Sequence, residues 1–273
     1  VDVIFMALPH GIASGKINND ILKRTKVIDL GADFRLKDKN TYETWYQVEH
    51  KTPELLNDSV YGLCELNREK IKEAKLIANP GCYTTASILA LSPLVEHQLI
   101  ETSSIIIDAK SGISGAGRSL NIQNLYCEAN ETIKAYKVGS HRHTVEIEQE
   151  LSILNHNNKI NLTFTPHLTP MNRGILATCY SKAKNQVKYE ELINLYKTFY
   201  KNEFFIRIKN SANDVETKFV TNSNFVDIGI SYDKRTNNII VTSAIDNLIK
   251  GASGQAVQNM NIMFNLDESE GLK

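Results

Sequence analysis

Val3-Ile4-Phe5-Met6-Ala7-Leu8-Pro9-His10-Gly11 opens the chain as an unbroken apolar run closed by a turn. A run this short, bounded by Pro and Gly, reads as a buried strand. A helical stretch to about Lys23 follows, then a second apolar strand from Val27 to Leu30. Strand, helix and strand in that order predict a parallel sheet with helices packed on its faces. Leu76-Ile77-Ala78 is a further short strand, and it ends in Asn79-Pro80-Gly81-Cys82. A helix is expected from Thr84 to Leu91, broken or kinked by Pro93. From about Ser104 the pattern changes. Strands are expected at 104–109, 160–166, 174–181, 204–208, 225–232 and 239–245, with helices near 143–154 and 189–200. That is an α+β arrangement with a largely antiparallel or mixed sheet. Ala252 to Phe264 reads as a closing helix.

The 273 residues suffice for one large or two modest domains. A formal net charge of zero, without a basic block, argues against nucleic acid as a partner. No apolar run approaches the ~20 residues that span a bilayer, and no secretory signal opens the chain, so the reading is cytoplasmic. The four cysteines, Cys64, Cys82, Cys127 and Cys179, show neither CxxC nor zinc-site spacing, so no metal site is expected. Three of them are expected to be packing residues, Cys64 and Cys127 in contexts without helix-start chemistry. The lone histidines His50, His97 and His156 read as surface residues. A complete dinucleotide-binding domain would open with a strand and a glycine-rich turn, and no such turn precedes Val1. Either the fold is of another type or its first strands are missing. Because residue 1 is not Met, a fragment boundary is the expectation.

Asn79-Pro80-Gly81-Cys82-Tyr83-Thr84-Thr85 places a thiol where a tight turn leads from a strand into a helix. Helix-start amides and the positive end of the macrodipole stabilise a thiolate there, and the same amides can hold an oxyanion. A buried structural cysteine is an equally good reading of the turn alone. His141-Arg142-His143-Thr144 precedes a helix carrying Glu146, Glu148 and Glu150, with Thr144 as the expected N-cap. An imidazole titrating near pH ~6.5 suits proton exchange with a thiol. Lys110-Ser-Gly-Ile-Ser-Gly-Ala-Gly-Arg118 is a flexible loop with exposed amides, suited to a phosphate or dinucleotide, or an ordinary surface loop. Arg173 is a second anion-binding candidate or half of a surface salt bridge.

FMALPHGIAS (5–14), DLGADFRL (29–36), VYGLCELNRE (60–69), NPGCYTTA (79–86), KSGISGAGR (110–118), HRHTVEIEQEL (141–151), PHLTPMNRGILAT (166–178) and DNLIKGASGQAVQNMN (246–261) occur in one order along the chain. Together they resemble the N-acetyl-γ-glutamyl-phosphate reductase family, NADP-dependent enzymes of arginine biosynthesis. Cys64 and Val145 stand where that family typically has proline, away from the chemistry. Family members carry roughly seventy residues more at the start, including the glycine-rich turn. The resemblance implies an α/β fold with a truncated Rossmann-type dinucleotide-binding domain (1–81 and 246–273). An α+β catalytic and oligomerisation domain with a mixed, semialdehyde dehydrogenase-like sheet spans 82–245.

Carried over by residue, Cys82 corresponds to the nucleophile and His143 to the preferred acid/base, with His141 assisting or binding substrate. Arg118, Arg142 and Arg173 would hold the phosphate and carboxylate of the substrate. Pro9, His10, Gly11, Ser111, Gly112 and Asn247 would lie toward NADP(H). The implied reaction reduces N-acetyl-γ-glutamyl phosphate to the semialdehyde and phosphate through a cysteine thioester, in a homo-oligomer (dimer or tetramer). Two alternatives follow from the same residues: an aspartate-semialdehyde dehydrogenase-like enzyme acting on a shorter acyl phosphate, and a cofactor-deficient, non-catalytic remnant of the reductase.

Overall fold

The computed structural model describes residues 1–118 and 120–272, so Lys273, the last residue of the expected first domain, lies outside the described residues. The chain forms two compact units, Val1–Gly81 with Ala252–Lys273, and Cys82–Gly251.

The first unit is a four-stranded sheet built from β1 (Val3–Met6), β2 (Lys26–Asp29), β3 (Val60–Tyr61) and β4 (Leu76–Ala78) in the order β1-β2-β4-β3. Every pairing is parallel. Strand side chains alternate between faces, and both faces are covered. Val27, Leu76 and Ala78 join Ala13, Ile17, Phe34 and Leu55 on one side, while Ile28 and Ile77 join Cys64, Ile71, Ala256 and Met263 on the other. Burial on both faces is why these strands read as continuous apolar runs. The expected helix reaching Lys23 is shorter than its sequence suggests. It is a 3-10 turn at Ala13–Gly15 and a single helical turn at Asn19–Leu22, started by Asn18, whose side chain accepts the Ile21 N–H.

Polar groups inside this unit are tightly paired. Asp33 accepts the Gly11 N–H at 2.8 Å, the Tyr42 hydroxyl at 2.6 Å and the Ser14 N–H at 2.9 Å. Its carbonyl meets His50 Nε2 at 2.8 Å. His50 is therefore not a surface residue, as its isolation in sequence suggests; it is 2% exposed, and burial lowers its pKa. Asn79 is satisfied on every polar atom. Its N–H donates to the Asp29 carbonyl and its own carbonyl accepts from Arg35 Nε. Its side chain donates to the Ala252 carbonyl and accepts from Asn259. Cys64 is a packing residue as expected, its buried thiol against Gln255 and Asn259, but contrary to its local context it opens the Cys64–Glu73 helix.

The second unit holds a seven-stranded mixed sheet. Its strands are β5 (Ile106–Gly112), β6 (Lys134–Ala135), β7 (Thr163–Thr169), β8 (Ile175–Lys182), β9 (Ile206–Lys209), β10 (Val226–Asp233) and β11 (Asn238–Ile245). They run in the order β6-β7-β5-β8-β11-β10-β9, with β5–β7 and β9–β10 parallel and the other pairs antiparallel. Against β8 and β11 packs the helix Cys82–Glu96, buried along its length from Tyr83 to Val95. It continues through Pro93, beyond the break expected there. Proline lacks the N–H that would bond the carbonyl four residues earlier, which is Leu89. Tyr200 supplies that donor at 2.6 Å, and Tyr196 bonds the neighbouring Ala90 carbonyl at 2.6 Å. Both tyrosines come from the Tyr189–Phe199 helix and its C-cap. Cys179 is buried in β8, whereas Cys127 is exposed and so is not the packing residue its sequence context suggests.

Two outcomes follow for stability. Removing the hydroxyl in Tyr200→Phe leaves a buried carbonyl unpaired and should cost about 1–3 kcal/mol, read as a fall in Tm. Asp29 is buried beside Asp33 with Oδ2 unbonded, and burial raises its pKa to about 7. A raised carboxyl favours the protonated folded state, so stability should be full below pH ~4 and fall as pH rises through ~7, by at most about 4 kcal/mol. In Asp29→Asn, denaturant melts across pH 4–8 should lose that slope.

Candidate active site

Cys82 is the first residue of its helix, directly after the Asn79-Pro80-Gly81 turn, and is half-buried, whereas Tyr83 to Val95 are sealed. Its position depends on a glycine. A Cβ built on Gly251 would stand 2.7 Å from the Cys82 Cβ and 3.2 Å from its Cα. Gly251 belongs to a π-type turn, Ile249–Ser253, and its N–H bonds the Asp246 carbonyl.

The histidines stand at the start of the His143–Leu154 helix. Because the helix begins at His143, Thr144 already lies within the first turn and cannot cap it; its Oγ1 is buried without a hydrogen-bond partner. The cap comes instead from His141, whose Nδ1 accepts the His143 N–H at 3.1 Å. His141 is enclosed by the rings of Tyr83, Tyr136, His143 and Phe164, all edge-on at 4.8–5.7 Å between centroids. Burial, reinforced by His143, Lys137 and Arg142, drives its pKa down to about 2. His141 is a neutral acceptor at Nδ1, which places its remaining proton on Nε2. His143 is less buried, and its ring meets that of Tyr83 at 6.0 Å.

Tyr83, next to Cys82 in sequence, joins the two helix starts. Its hydroxyl donates to the His167 carbonyl and accepts from Tyr136. Burial raises the pKa of both phenols, Tyr136 to about 12, and the neighbouring Cys82 charge pushes each the same way. The sequence reading did not single out Tyr83, Tyr136 or Lys137. An aromatic directly after the candidate thiol was the available signal for the first; nothing local marks the others.

The arginines are placed differently. Arg142 sits at the N-cap position between the histidines, and Arg118 is exposed beyond the 3-10 turn Ile113–Ala116. Arg173 Nη1 donates to Asn222 and lies 3.6 Å from the buried Asp246 carboxylate. The glycine-rich loop does not present the open row of amides expected of it. The Gly112, Ile113 and Ser114 N–H groups bond the carbonyls of Gly174, Met171 and Asn172. A Cβ at Gly112 would come within 2.6 Å of the Asn172 carbonyl oxygen, so glycine there serves close packing of two loops. Ser111 is buried, with its hydroxyl on the Gly112 carbonyl. Asn247 engages both ends of its amide, accepting from the Gly174 N–H at 2.7 Å and donating to Ser114 Oγ at 3.0 Å.

Pro9, His10 and Gly11 belong to the first unit, just beyond the carboxyl end of β1. Gly11 has φ +81°, a conformation that glycine adopts without strain. Pro9 and His10 are exposed, and the His10 ring stands edge-on to Tyr46. In open parallel sheets ligands bind outside the carboxyl ends of the strands, so this turn fits a nucleotide cofactor. Among the described residues no group of three His, Cys, Asp or Glu is arranged to hold a metal ion, and no helix is long and apolar enough to cross a membrane.

Comparison with known proteins adds three findings. Residues 1–74 match the semialdehyde dehydrogenase NAD-binding domain, and residues 82–247 match the semialdehyde dehydrogenase dimerisation domain. The whole chain is 56% identical to the N-acetyl-gamma-glutamyl-phosphate reductase of Lachnoclostridium phytofermentans, covering 79% of that protein. It is also 54% identical to the enzyme of that name from Campylobacter jejuni subsp. doylei, covering 80% of it. Among solved structures, aspartate semialdehyde dehydrogenase II from Vibrio cholerae superposes with a TM-score of 0.73 over 97% of this chain and 80% of that one, at 16% identity. At that identity the likeness speaks for the fold.

The contact between Gly251 and Cys82 yields a direct check. Gly251→Ala forces a methyl into the cysteine and should cost about 1–3 kcal/mol by overpacking. A drop in Tm together with a changed rate of Cys82 alkylation by iodoacetamide is expected.

Proposed function

The chain belongs to the N-acetyl-gamma-glutamyl-phosphate reductase family, and from that premise we propose that it reduces N-acetyl-γ-glutamyl phosphate to the semialdehyde with release of phosphate, using NADP(H) and the Cys82 thiol. The observation that carries the assignment to Cys82 is the pairing of two helix starts in the second unit. One presents Cys82 and the other His143, with the Tyr83 ring between the histidines and the thiol's own turn.

Cys82 at the first helical position attacks the acyl carbon as a thiolate, and the carbon–oxygen bond to phosphate breaks to leave a thioester on Sγ. The amides of that helical turn favour the negative oxygen formed on the way. When bound, the nicotinamide cofactor supplies hydride to reduce the thioester carbon. His143 holds and exchanges the proton at the carbonyl oxygen, so that the carbon–sulfur bond breaks, the aldehyde leaves and the thiolate returns. His141 is a poor acid for this purpose. Its low pKa keeps it neutral at any working pH, and Nδ1 is committed to the His143 N–H. It orients His143.

Arg142 and Arg118 are the cations proposed for the substrate's phosphate and carboxylate. Arg173 is the third, with Asp246 and Asn222 as its present partners. Pro9, His10 and Gly11 would receive the cofactor. Ser111, Gly112 and Asn247 would act through the two loops they hold together. The dimerisation-domain match supports a homo-oligomer; we propose further that it is a dimer or tetramer working in the cytoplasm.

Cys82→Ser should eliminate phosphate-dependent NADP reduction by the semialdehyde, and near wild-type turnover would overturn the nucleophile. His143→Asn should be impaired far more than His141→Asn; the reverse order would exchange their roles. An NADPH fluorescence titration should saturate, whereas a remnant without cofactor affinity would give no saturable signal.

A further inference from the structure

Just past the neighbouring ends of β5 and β7 lies a hollow of about 300 Å³ that the steps above leave unused. It stands at the thiol's end of the sheet. Tyr83, the residue after Cys82, donates to the His167 carbonyl, two residues before the end of β7. β5 runs parallel beside that strand, with Gly112 opposite Thr169. Ile113 and Met171 continue the two chains directly into the wall of the hollow.

That wall is held from behind. The Met171 carbonyl accepts the Ile113 N–H at 3.0 Å, and the Asn172 carbonyl accepts both the N–H of Ser114 and its Oγ, the latter at 2.6 Å. Ile113, Ala129 and Met171 supply apolar surface, while Asn124, Asn130 and Asn172 supply side-chain amides. None of those three side-chain amides has a hydrogen-bond partner among the described residues. No charged side chain lines the hollow; Glu128 and Lys134 line a separate, smaller one.

Such a lining discriminates by chemistry. A carboxamide carries a donor and an acceptor in one plane, so it can pair with a second amide. An ammonium entering here would lose water without gaining a counter-charge. Apolar surface beside uncommitted amides thus suits an acylated nitrogen and disfavours a free amine.

We infer that this hollow is the subsite for the substrate's acylamino group, with Asn172 pairing to its amide and Ile113 and Met171 packing on its methyl. The inference rests on the substrate class proposed above and names what separates an N-acylated substrate from its free-amine counterpart.

Met171 is the one methionine of the second unit, the others being Met6, Met260 and Met263. In the full chain labelled with methyl-¹³C methionine, N-acetylglutamate should shift the Met171 signal saturably and glutamate should not. Asn172 is exposed, so Asn172→Asp leaves the fold intact, and it should weaken that titration about ten- to a hundredfold. In turnover, Asn172→Asp should raise KM for N-acetylglutamate semialdehyde by a similar factor with kcat little changed. The N-formyl analogue, which lacks the methyl, should lose about tenfold in kcat/KM with the wild type. An unmoved Met171 signal, an equal shift by glutamate, or wild-type KM in Asn172→Asp overturns the subsite. Wild-type turnover with an unmoved signal would sink the subsite alone, whereas a shifted signal without turnover would keep the subsite and sink the reaction proposed for Cys82.

Discussion

A helix sealed from its second residue onward leaves its first within reach of water, and in this chain that residue is Cys82. From Tyr83 to Val95 the helix is sealed against the sheet and its neighbouring helices, so its start is the part left half open. Much of the second unit serves to hold this one element. Tyr200 and Tyr196 satisfy the carbonyls that Pro93 disturbs, and Gly251 supplies the missing side chain against which the cysteine backbone lies. A thiol at such a point gains the helix field without the flexibility of a loop.

The histidine pair divides its labour by burial. Two imidazoles separated by one arginine look alike in sequence, yet one is enclosed by four rings and bonded to a backbone amide while the other lies nearer the surface. Desolvation penalises the charged form of the enclosed ring, so the difference in environment becomes a difference in chemistry. This supports His143 over His141 as the proton carrier on grounds that spacing alone does not provide.

What was legible in the sequence was what depends on local pattern. The β-α-β opening, the strand β4 with its Pro-Gly turn, and every strand from β5 to β11 except the two-residue β6 follow from apolar runs and turn residues. What was not legible depends on partners distant in the chain. Thr144 has a capping side chain, but the helix starts one residue earlier because His141 folds back to cap it. Pro93 breaks helices by rule, and two tyrosines more than a hundred residues away offset the loss. The glycine-rich loop looked like an open cradle, whereas residues 171–174 take up its first amides. His50 looked like a surface residue until Asp33 and the ring of Tyr42 enclosed it.

Asp33 has a further consequence. One carboxylate grips Gly11, Ser14 and Tyr42, while its own carbonyl holds His50. Segments that would otherwise fray separately are thereby fastened to a single atom group. Local opening in the first unit is then a concerted event, in which the turn after β1 and the Lys39–Tyr46 helix open together or stay closed together, as one foldon. A turn exposed at Pro9 and His10 should thus exchange its Gly11 amide as slowly as a core element does.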